Sequence, residues 1–135
     1  LVPGTPLANI SRAMRSAILT EPRHFEVSSQ DLPAPGEGEV RIRVRGCGVC
    51  GSDMGPWKGL QGLTYPMPAG APGHEGWGRV AAVGAGVTGL QAGDRIAALT
   101  YRAHAEYDLA EADAVAEQVP VPALRAPRTR QDRPR

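Results

Sequence analysis

Aromatic side chains are scarce: 135 residues carry one Phe, two Trp and three Tyr. Large aliphatics are also few, because Ala supplies 20 of the apolar residues. A modest core is within reach and a large one is not. No apolar run has the length that a bilayer demands, so no membrane partner is expected. The first residues lack a basic stretch leading into an apolar one, and no signal peptide is readable. Two Cys are too few for a disulfide framework, which makes a reducing cytoplasm the expected location. The chain has little net charge, +1, and that charge is unevenly placed. Five Arg and one Asp fall within residues 125–135, leaving ten basic against thirteen acidic side chains before them. A mildly acidic body gives no support to nucleic-acid binding.

Gly and Pro are plentiful, 17 and 13 residues. Neither suits a helix interior, so a helical bundle is disfavoured. Residues 1–13 (LVPGTPLANISRA) show no periodicity and read as a disordered extension ahead of a domain over 14–124. Residues 125–135 (RAPRTRQDRPR) have no aliphatic larger than Ala and read as a disordered tail. Between them, short strands are predicted over 15–19, 24–29, 39–45, 76–83, 94–99, 105–109 and 114–119. The clearest is 39–45, where Val40, Ile42 and Val44 alternate with Arg41, Arg43 and Arg45. Period two puts the aliphatics on one face and the three Arg on a solvated one. A weak helical period over 103–116 is blurred by Ala. Many short strands separated by Gly and Pro predict a sandwich or barrel.

Two segments can carry chemistry. GCGVCGSD, at 46–53, and GHEG, at 73–76, hold both Cys and one of the three His. Thiolate, imidazole and carboxylate are all zinc ligands. Taken alone, Cys47-x-x-Cys50 has three readings: half of a four-Cys zinc site, a redox pair, or one ligand beside a small buried thiol. No second Cys pair exists for the first, and the second normally sits in a βαβ pattern. His74 and Glu75 add weight to the third. His24 reads as a surface residue, and His104 has no partner at metal spacing. Gly84, Gly86 and Gly89 form a GxGxxG run, but another strand follows too soon for the helix that would meet a pyrophosphate. This run is a turn, and no residue is assigned to cofactor binding.

In this order and spacing, GCGVCGSD and GHEGWGRVAAVGAGVTGLQAGDRI resemble the N-terminal catalytic domain of zinc-dependent medium-chain alcohol dehydrogenases. MRSAILTEPRHFEV, at 14–27, is similar to the opening of that domain, and the resemblance covers roughly four-fifths of the chain. It implies a mainly β fold, a GroES-like partly open β-barrel with short helices. It implies one catalytic Zn2+ held by Cys50 and His74, with Glu75 as an adjacent acid able to bind it. It assigns Ser52 as the hydroxyl that receives the alcohol proton and Asp53 as the carboxylate that orients the ligating His. Cys47 is then a small buried residue rather than a ligand. Trp57, Tyr65 and Pro66 either line a substrate pocket or pack the loop. The implied reaction interconverts a small alcohol or polyol and its aldehyde or ketone, with NAD or NADP as hydride acceptor.

Four departures qualify this resemblance. No Rossmann unit follows Leu124; the family's third protein ligand lies beyond that point; no four-Cys lobe is present; and Gly55 stands where a relay His often does. A truncated, frame-shifted or fragmentary reading frame is therefore expected. The 135 residues alone are expected not to turn over substrate, and oligomers are expected for the full-length enzyme. The alternative, from another class, is a non-catalytic GroES-like barrel acting as a binding or interaction module.

Overall fold

A computed structural model describes residues 13–117 of the chain. Strands β1 (Ala13–Glu21) and β2 (His24–Asp31) form an antiparallel hairpin. Strands β3 (Glu39–Gly48), β4 (Glu75–Val83), β5 (Arg95–Leu99), β6 (Tyr107–Glu111) and β7 (Val115–Glu117) form a second sheet. Its order is β6-β3-β4-β5-β7 and every pairing in it is antiparallel. The fold is mainly β, a curled half-barrel sheet, as the resemblance implied. Its end strands β6 and β7 are not paired with each other among the described residues. One short helix, α1 (Met54–Lys58), follows a 3-10 turn over Gly51–Asp53.

The core sits on the inner face of the larger sheet. Val40, Ile42, Val80, Ile96, Ala98 and Ala110 form one buried cluster, with Val44, Leu90 and Val115 packed against it. Burying each large aliphatic contributes about 1.5–3 kcal/mol, so three central strands are held by a few residues. Gly and Pro set the connections. Pro22 and Arg23 turn the β1–β2 hairpin, and Gly86 and Gly89 adopt positive φ between β4 and β5. That second turn is the GxGxxG run, and no helix opens from it.

The period-two reading of β3 holds for Val40 and Ile42, which are buried, and for Arg43 and Arg45, which are exposed. Arg41 departs from it only in exposure. The register shift between Arg41 and Ile42 leaves Ala81 of β4 as the extra residue, so the alternation of β3 is intact there and neighbouring groups cover Arg41 instead. Arg41 is half-buried, donates to the Pro33 carbonyl at 3.0 Å and lies over the Tyr107 ring at 5.8 Å. β6 starts at Tyr107 rather than 105, because Ala105 is taken by an isolated bridge to Ser16 of β1. The weak helical period over 103–116 yields only a 3-10 turn at Ala112–Ala114. Ala13 belongs to β1; residues 1–12 and 118–135, and the calls on the extension and the tail that fall there, lie outside the described residues.

The hairpin is tied to the larger sheet through backbone bonds. Ala17 N–H donates to His104 O at 2.8 Å, and Glu106 N–H to Arg15 O at 3.0 Å. Met67 N–H donates to Leu19 O at 3.0 Å, and Gly70 N–H to Ala17 O at 2.8 Å. β1 thus fixes the loop that leads into His74.

Candidate metal centre

β3 and β4 run antiparallel with Gly48 opposite Glu75. That register carries Glu75 to the end of β3, two residues before Cys50. Gly48 lets it approach: the Glu75 carboxylate fills the space a Cβ on Gly48 would need. Beyond Val49 the chain turns at Cys50, which is extended (φ −89°, ψ 157°), into the 3-10 turn. Asp53 holds this turn, its Oδ2 accepting the Cys50 N–H at 2.8 Å. His74 enters from the other side, just ahead of β4. As a result the Cys50 Sγ, a His74 ring nitrogen and a Glu75 carboxylate oxygen lie within 4.8 Å of one another. Cys50 and His74 are half-buried and Glu75 is exposed.

The imidazole environment assigns its tautomer. His74 Nδ1 stands 3.0 Å from the Pro72 carbonyl and 3.1 Å from Asp53 Oδ1. Both neighbours accept, so Nδ1 carries the proton and Nε2 keeps its lone pair. The N–H is directed at Pro72. Asp53 Oδ1, buried and close, takes no hydrogen bond. Asp53, the carboxylate expected to orient the ring, does stand at its Nδ1. In the fold it supplies negative charge beside the ring and holds the Cys50 amide, while Pro72 takes the directed bond. Ser52 Oγ–H donates to Nε2 across 3.3 Å.

These contacts shift the thiol and the ring in opposite directions. The Ser52 hydroxyl and amide, then His74, hold the Cys50 thiol below its ordinary value. The Pro72 carbonyl, then Cys50 itself, raises His74. Cys47 differs: burial pushes its thiol up, and its Sγ–H donates to Gly48 O at 3.3 Å. Thiolate is the nucleophile in alkylation. In metal-free chain at neutral pH, iodoacetamide is therefore expected to modify Cys50 well before Cys47, as read by peptide mass mapping. Equal rates at the two sites would contradict this ordering.

Each residue singled out in the sequence now has a place. Cys50, Ser52, Asp53, His74 and Glu75 converge. Cys47 lies on β3 outside the three-ligand group. His24 is exposed at the hairpin turn. Trp57 stacks on Phe25, and the Tyr65 hydroxyl donates to Pro56 O at 2.6 Å, which makes both packing residues. Neither lines the apolar cavity of about 350 Å³ beside His74 and Glu75, whose walls include Trp77, Ala97 and Leu99. A larger cavity, about 840 Å³, lies between the hairpin and β6 and includes none of the cluster residues. Pro72 was missed, because a backbone acceptor leaves no mark in residue identity.

Comparison with known proteins bears on the same residues. The family model "Alcohol dehydrogenase GroES-like domain" matches residues 36–123. An alcohol dehydrogenase from Moraxella sp. (strain TAE123) is 38% identical over 88 residues, covering 62% of this chain and 25% of that protein. A sorbitol dehydrogenase from Halalkalibacterium halodurans is 41% identical over 77 residues, covering 57% and 22%. Among solved structures, the cobalt- and zinc-bound thermostable alcohol dehydrogenase from Pyrobaculum aerophilum matches with a TM-score of 0.67 at 25% identity, covering 78% of this chain and 41% of that one. The chain spans about a quarter of the length of the curated relatives it matches. The match begins just before β3 and encloses both ligand-bearing segments, and the chain belongs to the alcohol dehydrogenase GroES-like domain family.

Proposed function

We propose that this chain is the metal-binding part of the catalytic site of a zinc-dependent alcohol or polyol dehydrogenase. The observation that carries the reading is the convergence of the Cys50, His74 and Glu75 donor atoms within 4.8 Å. The donor set suits the metal: one sulfur, one imidazole nitrogen and one carboxylate oxygen, with room for a further ligand, match catalytic zinc. His74 supports the fit, since its Nδ1 is committed to Pro72 and its Nε2 is left to ligate. Bound at these donors, zinc supplies Lewis acidity toward an alcohol or carbonyl oxygen.

The chain's own residues do the rest. Ser52 is exposed and stands beside the ring, so its hydroxyl can take a substrate proton once Nε2 is engaged. Gly55 offers no side chain to pass that proton on, so its exit past the exposed Ser52 needs water or a cofactor hydroxyl. Asp53 keeps the Cys50 turn closed and places negative charge behind the ligating ring.

No dinucleotide-binding βαβ unit lies among the described residues. Every strand pair among them is antiparallel, and the GxGxxG run is a strand-to-strand turn. The longer relatives, an alcohol and a sorbitol dehydrogenase, support an alcohol or polyol substrate for the whole enzyme, while NAD or NADP as hydride acceptor and an oligomeric whole enzyme rest on the family resemblance. No described helix is long and apolar enough to cross a membrane, and a thiolate ligand suits a reducing cytoplasm. The test is metal content. The 135-residue chain, purified with zinc and dialysed, is expected to retain one equivalent and to show no turnover of alcohol with NAD or NADP. Absence of zinc would sink the metal assignment. Turnover would show that the chain is complete as a catalyst.

A further inference from the structure

The ligands come from two stretches of chain: Cys50, with Ser52 and Asp53, precedes α1, whereas His74 and Glu75 lead into β4. At the cluster these stretches meet around the His74 ring. A second junction lies away from it, and Phe25 of β2 is its centre. One face of the Phe25 ring stacks on Trp57 of α1, with centroids 5.8 Å apart and planes at 14°. The same ring meets His104 edge-on at 6.1 Å and 77°.

Each partner of Phe25 reports to one ligand stretch. Trp57 sits on the helix that continues the Cys50 turn, and its carbonyl accepts the Arg23 N–H at 2.8 Å. His104 stands against Gly73, the residue before His74. A Cβ on Gly73 would lie 2.6 Å from the His104 ring and 2.7 Å from its backbone nitrogen. His104 N–H donates to Gly70 O, and Ala103 N–H to Gly73 O, each at 3.0 Å. Phe25 is 38% exposed and lies outside the buried core cluster, so core packing does not account for its two ring contacts.

We infer that Phe25 is a positioning residue for the metal centre: its ring, held between Trp57 and His104, sets the separation of the Cys50 and His74 stretches. The inference rests on the proposed metal site. Aromatic pairs contribute beyond the area they bury, and the geometry they impose is specific. Losing both contacts lets α1 and the His74 loop move apart, which a metal reads as a misplaced ligand.

Cobalt(II) titration of the full chain tests this, with ligand-field and sulfur-to-metal charge-transfer bands as the readout. Phe25→Ala is expected to bind cobalt about tenfold more weakly and with altered ligand-field bands. Phe25→Leu, which keeps apolar volume without the ring, is expected to do the same while retaining the wild-type far-UV circular dichroism. It carries the test should the Ala variant not fold. Phe25→Tyr is expected to restore both affinity and spectrum. A folded Leu variant with wild-type affinity and bands would overturn the inference. So would a Tyr variant as weak as Ala, since the ring would then not be what matters. If the wild-type chain shows no charge-transfer band, the metal assignment itself fails, and the inference with it.

Discussion

Replacing Cys50 by Ser is expected to strip the chain of zinc, and replacing Cys47 by Ser is expected to leave zinc in place. The two thiols are three residues apart, yet the fold treats them differently. Cys50 Sγ lies in the three-donor group, while Cys47 is engaged with its neighbour's carbonyl on β3. A serine hydroxyl is a poor replacement for thiolate, because it stays protonated and hard where zinc favours soft sulfur. Disturbing outer partners of a ligand typically costs metal affinity about 10- to 100-fold. Removing a ligand outright is expected to exceed the upper end of that range. Zinc content after dialysis and the cobalt charge-transfer band both read the effect. The pair of variants also decides between readings of Cys47-x-x-Cys50. If both substitutions removed the metal equally, a two-Cys site would replace the Cys-His-Glu site.

Gly70→Ala is expected to destabilise the fold by about 3 kcal/mol. Two costs add. Gly70 has φ +85°, where a side chain costs about 1–2 kcal/mol. Its Cβ would also press into the Arg102 backbone carbonyl, which cannot rotate away, and such overpacking costs about 1–3 kcal/mol. The residue cannot shift to escape. Its N–H is held by Ala17 O at 2.8 Å, and its carbonyl accepts from Gly73 at 3.2 Å and from His104 at 3.0 Å. For a domain of this size the melting temperature should fall by about 15 °C. Gly89→Ala is the control. It too has positive φ (80°), but nothing lies within 4 Å of its Cβ position, so only the backbone cost of about 1 kcal/mol applies. Equal melting shifts for the two variants would show that the contact with Arg102 is not what constrains Gly70. The same loop delivers His74, so the Gly70 variant should also bind metal less well than its residual stability alone predicts.

Much of the sheet was legible in residue order. Val40 and Ile42 announced a half-buried strand, and the runs that became β4 and β5 were bounded by Gly. Five-residue α1, with Gly55 and Pro56 inside it, offered no periodicity to read. Arg41 keeps its place in the alternation but is half-buried, because the Pro33 carbonyl and the Tyr107 ring, from other parts of the chain, cover it. Ala105 was read as strand because its neighbours fit, but a bridge to β1, some ninety positions earlier, was already using its backbone.

The candidate site divides along the same line. Residue type marked the two segments that hold Cys50, His74 and Glu75 as able to ligate zinc, and the family resemblance named those three. The resemblance also favoured Cys50 over Cys47, and residue order excluded the GxGxxG run as a nucleotide loop. Contacts between distant segments were not available at that level. Glu75 reaches Cys50 because β3 and β4 pair with Gly48 opposite it, and register depends on both strands together. The His74 tautomer depends on the Pro72 carbonyl, a backbone group that every residue possesses and only the folded chain aims. The Phe25 junction needs a hairpin tip, a short helix and a loop in one place. The sequence by itself determined which ligands the chain can offer, since that is written in side-chain chemistry. Only the tertiary structure decided how they face one another, because that follows from pairings between segments 25 to 90 residues apart.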